Sequence, residues 1–575
     1  MKVSKKILGL PASNGIVSGP VWIYRPIQLS YKTKNFCDPQ EELSRLDNAV
    51  GVAKKQLQGL MLKTKDQIGE EEAQIFEAHK LILEDPELKN LVIDLLENKR
   101  INAEAAVDQS IEQYANSLQA LDSEYFRERA QDVRDVGRRL ILCLQGVKTS
   151  DAKMPENPVI ILADELTPSD TVQFDPNIIL GFCTIRGGPT SHTAILARSL
   201  NVPAIVSAKF KLEEVLENSL AIMNGSDGYL LLNPEKKQVT KAKKALMQQE
   251  EIWQKHLSNA HKPAITLDHQ EIEVVANIGS AEDAQKAIEF GAEGVGLLRT
   301  EFLYINHEEL PSFDDQVKAY RQISNIMGDR PVVIRTLDIG GDKNVPYLDF
   351  KDEQNPFLGW RAIRMIGERP DIFEVQLKAL LTGFSGSDLR IMLPMVSQIE
   401  EVENAKSIFN NVVDDLKRNE NFVHPKLQFG IMVEIPSTAL MVESFADHVD
   451  FFSIGTNDLA QYTLAVDRTN ERVANLASPF NSAVIKLIAM TIKGAHKNNR
   501  WVGLCGEMAG NPLATPLLIG LGLDEFSMAP NSIPRIKHII RSLEKEKCQQ
   551  IAHEVLRKQK TKDIMALLES VQVNN

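Results

Sequence analysis

The sequence predicts a multidomain α/β protein: an α/β domain interrupted by a helical bundle, followed by a (β/α)8 barrel. Three observations predict it. Between Pro263 and Pro534, eight apolar runs alternate with helical stretches. Before Gly146, a long segment repeats its apolar residues at helical spacing. Between these two regions, short strand-like runs surround an interruption at Gly187, Gly188 and Pro189. At 575 residues the chain has room for about three or four domains.

Composition narrows the function classes. The chain is 43% hydrophobic and 25% charged, as ordinary globular proteins are. Its net charge of −13 argues against a general nucleic-acid binder and suits a basic partner surface. The five cysteines (Cys37, Cys143, Cys183, Cys505 and Cys548) are widely spaced and form no C-x-x-C pair. That argues against a disulfide framework or structural zinc and fits a reducing cytoplasm. The N-terminus lacks a signal-peptide core, and the uncharged stretch between Glu507 and Asp524 is too short to span a bilayer. A cytoplasmic protein without membrane insertion is expected.

In chain order, residues 7–25 read as two short strands around Gly15 and Gly19. Leu43, Leu46, Val50, Ala53, Leu57 and Leu60 then open a helical region. Further segments at 70–83, 103–118 and 123–144, with breaks near Pro86 and Asn102, make four helices and hence a bundle. Beyond Pro158 the pattern changes to strands at 159–163, 178–185, 202–206 and 229–232, with a helix-start signal at Thr167, Pro168, Ser169 and Asp170. The N-terminal strands are expected to join this domain, which makes the bundle an insertion. The domains are therefore 1–30 with 150–234 (α/β), 35–147 (helical insert), 235–261 (a polar linker helix) and 262–575 (barrel).

The stretch GGPTSHTAILAR at 187–198 carries the first candidate chemistry. Thr190 or Ser191 is suited to cap a helix whose buried side begins at Ile195 and Leu196. His192 then lies in the first turn, where free N–H groups and the helix dipole favour a bound anion. Near pH 7 an imidazole is mostly neutral and keeps a nitrogen lone pair. His192 is read as a phosphoryl-carrying nucleophile; the plain alternative is a histidine bonded to a neighbouring backbone group.

The barrel carries the second. Its strands are read at 273–277, 294–298, 332–337, 389–395, 429–435, 451–454, 501–504 and 525–528. In such barrels chemistry gathers at the C-terminal strand ends. Those ends carry Arg299, Arg335, Asp338, Glu434, Asn457, Asp458, Cys505 and Glu507. Arg299 and Arg335 offer planar forks for carboxylate or phosphate, and Arg468 is a candidate third anion contact. Glu434 and Asp458 fit Mg²⁺, which typically takes one or two protein carboxylates. The Asn457 amide can donate to a substrate. Cys505 is either buried packing or, as a protonated thiol, an acid.

The 187–198 stretch, with VPAIV at 202–206, resembles the phosphohistidine segment of the Enzyme I family, the phosphoenolpyruvate–protein phosphotransferases of the bacterial sugar phosphotransferase system. Pyruvate phosphate dikinase and phosphoenolpyruvate synthase carry similar segments. GVGLLRTEF (294–302), RTLDIGGDK (335–343), NPFLGWR (355–361), the run 451–468 and CGE (505–507) are also similar to Enzyme I, so the resemblance covers nearly the whole chain. IFEAH (75–79) and RERAQDVRD (127–135) resemble the family's helical insert, which docks the histidine-containing phosphocarrier protein. His79 is read there as a docking or surface residue rather than a second nucleophile.

The resemblance implies phosphoenolpyruvate on Arg299, Arg335, Asn457, Asp458 and Arg468, Mg²⁺ on Glu434 and Asp458, Cys505 as proton donor, and a homodimer formed through the barrel. The chain departs from the family at Pro189, where arginine is more usual, and at Ala460, where threonine is. Three other readings stand beside it. A nucleotide-using dikinase or synthase lacks support, since no Gly-rich phosphate loop is apparent. The others are a nitrogen-type paralogue with a sensor domain and a relay protein with an inactive barrel.

Overall fold

The computed structural model describes residues 4–573 apart from 28, 36–37, 68–69, 120–123, 148–154, 156, 173, 189–190, 201, 306–308, 342–344, 346, 349–352, 419–421, 468–469 and 471–472. The chain forms two units, 1–250 and 251–575.

The first unit holds an eight-stranded sheet of β1 (Lys5–Leu8), β2 (Leu10–Ser13), β3 (Ile16–Ile23), β4 (Val159–Ala163), β5 (Ile179–Thr184), β6 (Ala204–Val206), β7 (Leu220–Asn224) and β8 (Tyr229–Leu232), in the order β1-β8-β7-β3-β4-β5-β6-β2. Strands β3 to β6 are parallel neighbours, and β4 is buried along its whole length. A parallel strand covered on both faces reads as a continuous apolar run, as VIILA does. The N-terminal segment gives three strands rather than two. Gly9 divides β1 from β2, which pair with opposite ends of the sheet. A Cβ there would lie 2.6 Å from Ile205 Cγ2 and 2.7 Å from the Val206 carbonyl, so only glycine passes.

Between β3 and β4 lie α1 (Pro39–Gln67), α2 (Glu70–Glu84), α3 (Pro86–Asp94), α4 (Ala103–Gln119) and α5 (Glu124–Leu144), packed around Leu46, Ala53, Leu57, Phe76, Val133 and Val136. The described residues form five α-helices where the periodicity predicts four. Pro86 starts α3 instead of merely ending α2: it occupies the first turn, and Asp85 caps it by accepting from Glu87 N at 2.8 Å. His79, expected at the surface, is fully buried. Next come α6 (Pro168–Thr171) after β4, α7 (His192–Ser199) after β5, and α8 (Lys236–Ser258), which runs across the division between the units.

The second unit is a closed barrel of eight parallel strands: β10 (Glu271–Ile278), β11 (Val295–Leu298), β12 (Val332–Arg335), β13 (Asp388–Leu393), β14 (Lys426–Val433), β15 (Phe451–Ile454), β16 (Trp501–Leu504) and β17 (Glu525–Met528), with β9 (Ala264–Ile265) added antiparallel to β10. Pairing of β10 with both β17 and β11 closes it. Leu297, Val333, Met392, Met432, Phe451 and Cys505 fill the interior. Gly430 leaves room for the Phe451 ring, which a Cβ there would approach to 2.6 Å. Among the described residues no helix is long and apolar enough to cross a membrane.

The strand starts hold an ion cluster of their own. Glu525 opens β17 beside Glu273 of β10, and Arg390 Nη1 lies 3.6 Å from Glu525 and 3.9 Å from Glu273. The Arg390 guanidinium also covers the Trp501 ring at 4.9 Å. Burial first, then the Glu273 charge, pushes the Glu525 carboxyl up to about 8. A carboxyl whose folded pKa is raised favours the folded state at low pH. That contribution is complete below the ordinary glutamate range and is lost as pH rises through about 8. Glu525→Gln should therefore flatten the pH dependence. At pH 8.5 the parent barrel should have lost on the order of 4 kcal/mol relative to pH 5, and the variant less. Urea unfolding followed by tryptophan fluorescence at the two pH values measures this; equal losses in both proteins would rule out Glu525 as the source.

Candidate active site

In the first unit, His192 is the first residue of α7, after Ser191 at the cap position. The backbone N–H groups of a first helical turn have no intrahelical acceptors, so they face whatever binds there. Gly187 adopts φ +91°, and its carbonyl accepts from Ser207 Oγ at 2.7 Å, which fixes the approach to the helix. The Ser191 side chain makes no capping bond; Pro189 and Thr190 lie outside the described residues. Thr193, Ala194, Leu196 and Ala197 are buried, whereas Ile195, expected on the buried side, is exposed. The 3.6-residue period explains it: 193, 194, 196 and 197 share a face that 195 does not. His192 Nε2 lies 3.3 Å from Thr171 Oγ1, a residue that no sequence signal singled out beyond its place just after the helix-start motif. Thr171 Oγ1 also donates to the Pro168 carbonyl at 2.9 Å.

In the second unit, the strand ends bring most of the predicted residues together. Arg335 ends β12 buried, paired with Glu301 and, at 3.0 Å, with Asp338. Arg361 grips the same Asp338 through three hydrogen bonds of 2.8–3.2 Å. Its guanidinium reaches the Tyr462 hydroxyl at 3.4 Å. Glu434, just past β14, is fully buried; Oε1 accepts from Met395 N at 2.6 Å, and Oε2 has no hydrogen-bond partner among the described residues. Gly455 leaves that oxygen open, since a Cβ would sit 3.2 Å from it. Burial first, then Asp458 and Asp338, raises the Glu434 carboxyl to about 8, against the opposing pull of Arg335 and Arg361.

Four buried carboxylates (Glu301, Asp338, Glu434 and Asp458) thus face two buried guanidiniums, Arg335 and Arg361. Among the described residues no group of three or more His, Cys, Asp or Glu is arranged to hold a metal ion. The open oxygen of Glu434 with neighbouring Asp458 instead matches a cation held by two protein carboxylates, water and substrate.

The other predicted residues surround this cluster unevenly. Arg299 is exposed and lines a cavity of about 400 Å³ with Asn277, Gly279, Gly506, Glu507 and Ser532. Asn457 donates to Glu507 at 3.3 Å, at the side of that cavity. Cys505 follows β16, with Sγ buried 3.7 Å from the Ile454 carbonyl and its own carbonyl accepting from Asn277 at 2.9 Å. Burial pushes its thiol up to about 11, so it keeps its proton at neutral pH. Arg468 lies outside the described residues. Arg361, which sequence reasoning left without a role, belongs to the cluster. It sits in a loop rather than at a strand end, so periodicity gives no signal for it.

Three family models match the chain. Residues 254–545 match the PEP-binding domain of PEP-utilising enzymes, 155–228 their mobile domain and 8–129 their N-terminal domain. The chain is 41% identical to the phosphoenolpyruvate-protein phosphotransferase of Priestia megaterium, with 99% of each chain covered. It is 43% identical to that of Geobacillus stearothermophilus, with 96% of each covered. A solution structure of Enzyme I (nEIt) shares 35% identity at a TM-score of 0.37, covering 42% of this chain and 99% of that one. A match at this level along nearly the whole length places the chain in the phosphoenolpyruvate-protein phosphotransferase family of the PEP-utilising enzymes.

Proposed function

We propose that the chain transfers the phosphoryl group of phosphoenolpyruvate to His192, releases pyruvate, and passes the group to a histidine of the phosphocarrier protein, the first step of a sugar phosphotransferase system. The observation that carries this reading is the pairing, on one chain, of a histidine at a helix start with a buried arginine–carboxylate cluster at barrel strand ends. Segments 1–30 and 150–234 form the phosphohistidine domain, 35–147 the phosphocarrier-docking insert, 235–261 the linker, and 262–575 the phosphoenolpyruvate-binding barrel, through which two copies pair. The cytoplasm is the compartment this substrate and partner require.

In this reading Arg299, Arg335, Asn457, Asp458 and Arg468 bind the substrate's phosphate and carboxylate. Arg335 Nε has no acceptor among the described residues, which leaves a donor for such an anion. Glu434 and Asp458 hold Mg²⁺. Bound there, it neutralises charge on the phosphate oxygens. The P–O bond to the enol oxygen breaks as an imidazole nitrogen of His192 bonds to phosphorus, and the electron pair stays on the enolate. Cys505 Sγ gives its proton to C3, which makes pyruvate. Thr171 orients the ring: it has one hydroxyl hydrogen, and both the Pro168 carbonyl and Nε2 lie within reach of it.

Phosphohistidine formation is tested by incubating the protein with ³²P-labelled phosphoenolpyruvate and Mg²⁺ and mapping the acid-labile phosphate. His192→Ala should lose the label completely while binding phosphoenolpyruvate as the parent does. Label retained on that variant would sink the assignment.

The metal pair makes a separate claim. Glu434→Ala and Asp458→Ala should each raise the Mg²⁺ concentration for half-maximal labelling by about 10-fold or more, Asp458→Ala the more strongly because it also touches substrate. Parental Mg²⁺ titrations in both variants would remove them from the metal shell.

Cys505→Ala should bind phosphoenolpyruvate normally yet form pyruvate about 100-fold more slowly. With substrate labelled stereospecifically at C3, turnover in deuterated water should lose its facial preference. A variant with parental rate and stereochemistry would reduce Cys505 to packing.

A further inference from the structure

Thr171, the partner of His192, ends α6, a helix of four residues. One turn does not repay the cost of its own ordering, so α6 needs support from outside. Part is local: Thr167 and Asp170 form a reciprocal capping box, and the Tyr24 hydroxyl donates to Asp170. The rest comes from the helical insert. Asp135, on α5 and buried, accepts from Thr167 Oγ1 at 3.1 Å and from Ser169 N at 3.3 Å. Behind Asp135 stands His79 of α2, fully buried, with Nδ1 3.8 Å from Asp135 and Nε2 3.4 Å from Asp132. Arg139, one turn further along α5, is buried near the same carboxylate.

We infer that Asp135 is a positioning residue for phosphoryl transfer: by capping α6 from the helical insert, it fixes Thr171 Oγ1 against the His192 imidazole. The inference rests on His192 being the phosphoryl carrier, as proposed above. The path from α5 to the imidazole is polar and short. Asp135 holds the first turn of α6 by a side-chain hydroxyl and a backbone N–H, and Thr171 is the last residue of that turn. Thr167 has one hydroxyl hydrogen, and the carboxylates of Asp135 and Asp170 lie 3.1 and 2.9 Å from its oxygen. Without the Asp135 charge, the Ser169 N–H and the Thr167 hydroxyl lose a strong acceptor and α6 is free to shift. A change in the Thr171 position alters which imidazole nitrogen is held and how the ring points, so the effect is on the reacting ring and not on folding alone. His79 packs behind Asp135, which places a buried histidine between two carboxylates.

The test uses the full chain with ¹⁵N-labelled histidine. Asp135→Asn and Thr167→Val should move the His192 ring-nitrogen shifts toward those of a free imidazole. Both should slow phosphoryl arrival at His192 about 10-fold, with the phosphoenolpyruvate Kd unchanged. Thr167→Ser, which keeps the hydroxyl, should restore both readouts. Should Asp135→Asn unfold the bundle, Thr167→Val decides, because it leaves α5 intact. Folded variants with parental ring shifts and parental rates overturn the inference, provided the parent is labelled at His192. A parent that takes no label there overturns the proposed function and this inference together.

Discussion

Charge taken out of water has to be balanced where it lies, and the C-terminal ends of the barrel strands are built around that requirement. Glu301, Asp338, Glu434 and Asp458 are buried with Arg335 and Arg361; Arg335 pairs with Glu301 and Asp338, and Arg361 with Asp338. Such ion pairs seldom add stability over apolar packing, but removing one partner leaves an uncompensated charge, typically at a cost of about 3–5 kcal/mol. The backbone bends to meet this demand. Gly340, at φ +108°, would meet Arg361 Cβ at 2.5 Å if it carried a side chain. Met395 takes φ +57°, a left-handed conformation that a non-glycine residue enters at some expense, and its N–H is the donor that holds Glu434.

The barrel was the most legible part of the sequence. Its strands are short, apolar and bounded by helical stretches, and the predicted runs at 451–454, 501–504 and 525–528 coincide with β15, β16 and β17. Residues at or just after a strand end were legible for the same reason, and the strand ends do carry Arg299, Arg335, Glu434 and Cys505, as the sequence predicts. Arg361 and Thr171 were not, because each acts from a loop or a single turn, where no period marks a side chain. His79 was read as a docking or surface residue because nothing around it in the sequence looks like a phosphate cradle. The carboxylates beside which it is buried, Asp132 and Asp135, lie on a helix at least 53 residues away, so no local pattern could reveal its burial. Strand β7 was missed, although the Asn224, Gly225 pair that follows it is a turn signal.

Two chemistries on separate units require a connection that lets one move, and the polar run 235–261 is the natural place to seek it. The helix α8 is continuous to Ser258, and its last turns pack within the second unit. Trp253 lies on Phe290 with ring centroids 6.0 Å apart, and His256 stacks on His538 at 4.2 Å. Those contacts commit the end of the helix to the barrel. A hinge is therefore better sought nearer its start, around Asn233 and Pro234. There a left-handed asparagine (φ +48°) and a proline already interrupt the chain.

The interior position of Cys505 bears on which role it can fill. A nucleophilic or metal-binding cysteine profits from a lowered pKa, which needs nearby cations or solvent. Here burial acts first and in the opposite direction, and the Ser453 side chain, followed by the Arg335 charge, only partly offsets it. The thiol therefore holds its proton throughout the neutral range, as a donor must. Being a weak acid is no handicap when the acceptor is an enolate carbon, because the C–H bond formed is a far weaker acid than any thiol. In the proposed role, the same burial would also keep water, the competing donor, away from that side of the substrate. Core packing and proton donation would then be one placement seen twice: the apolar wall of Leu297, Val333 and Met432 that makes Cys505 look like filling is what would keep its proton in reserve.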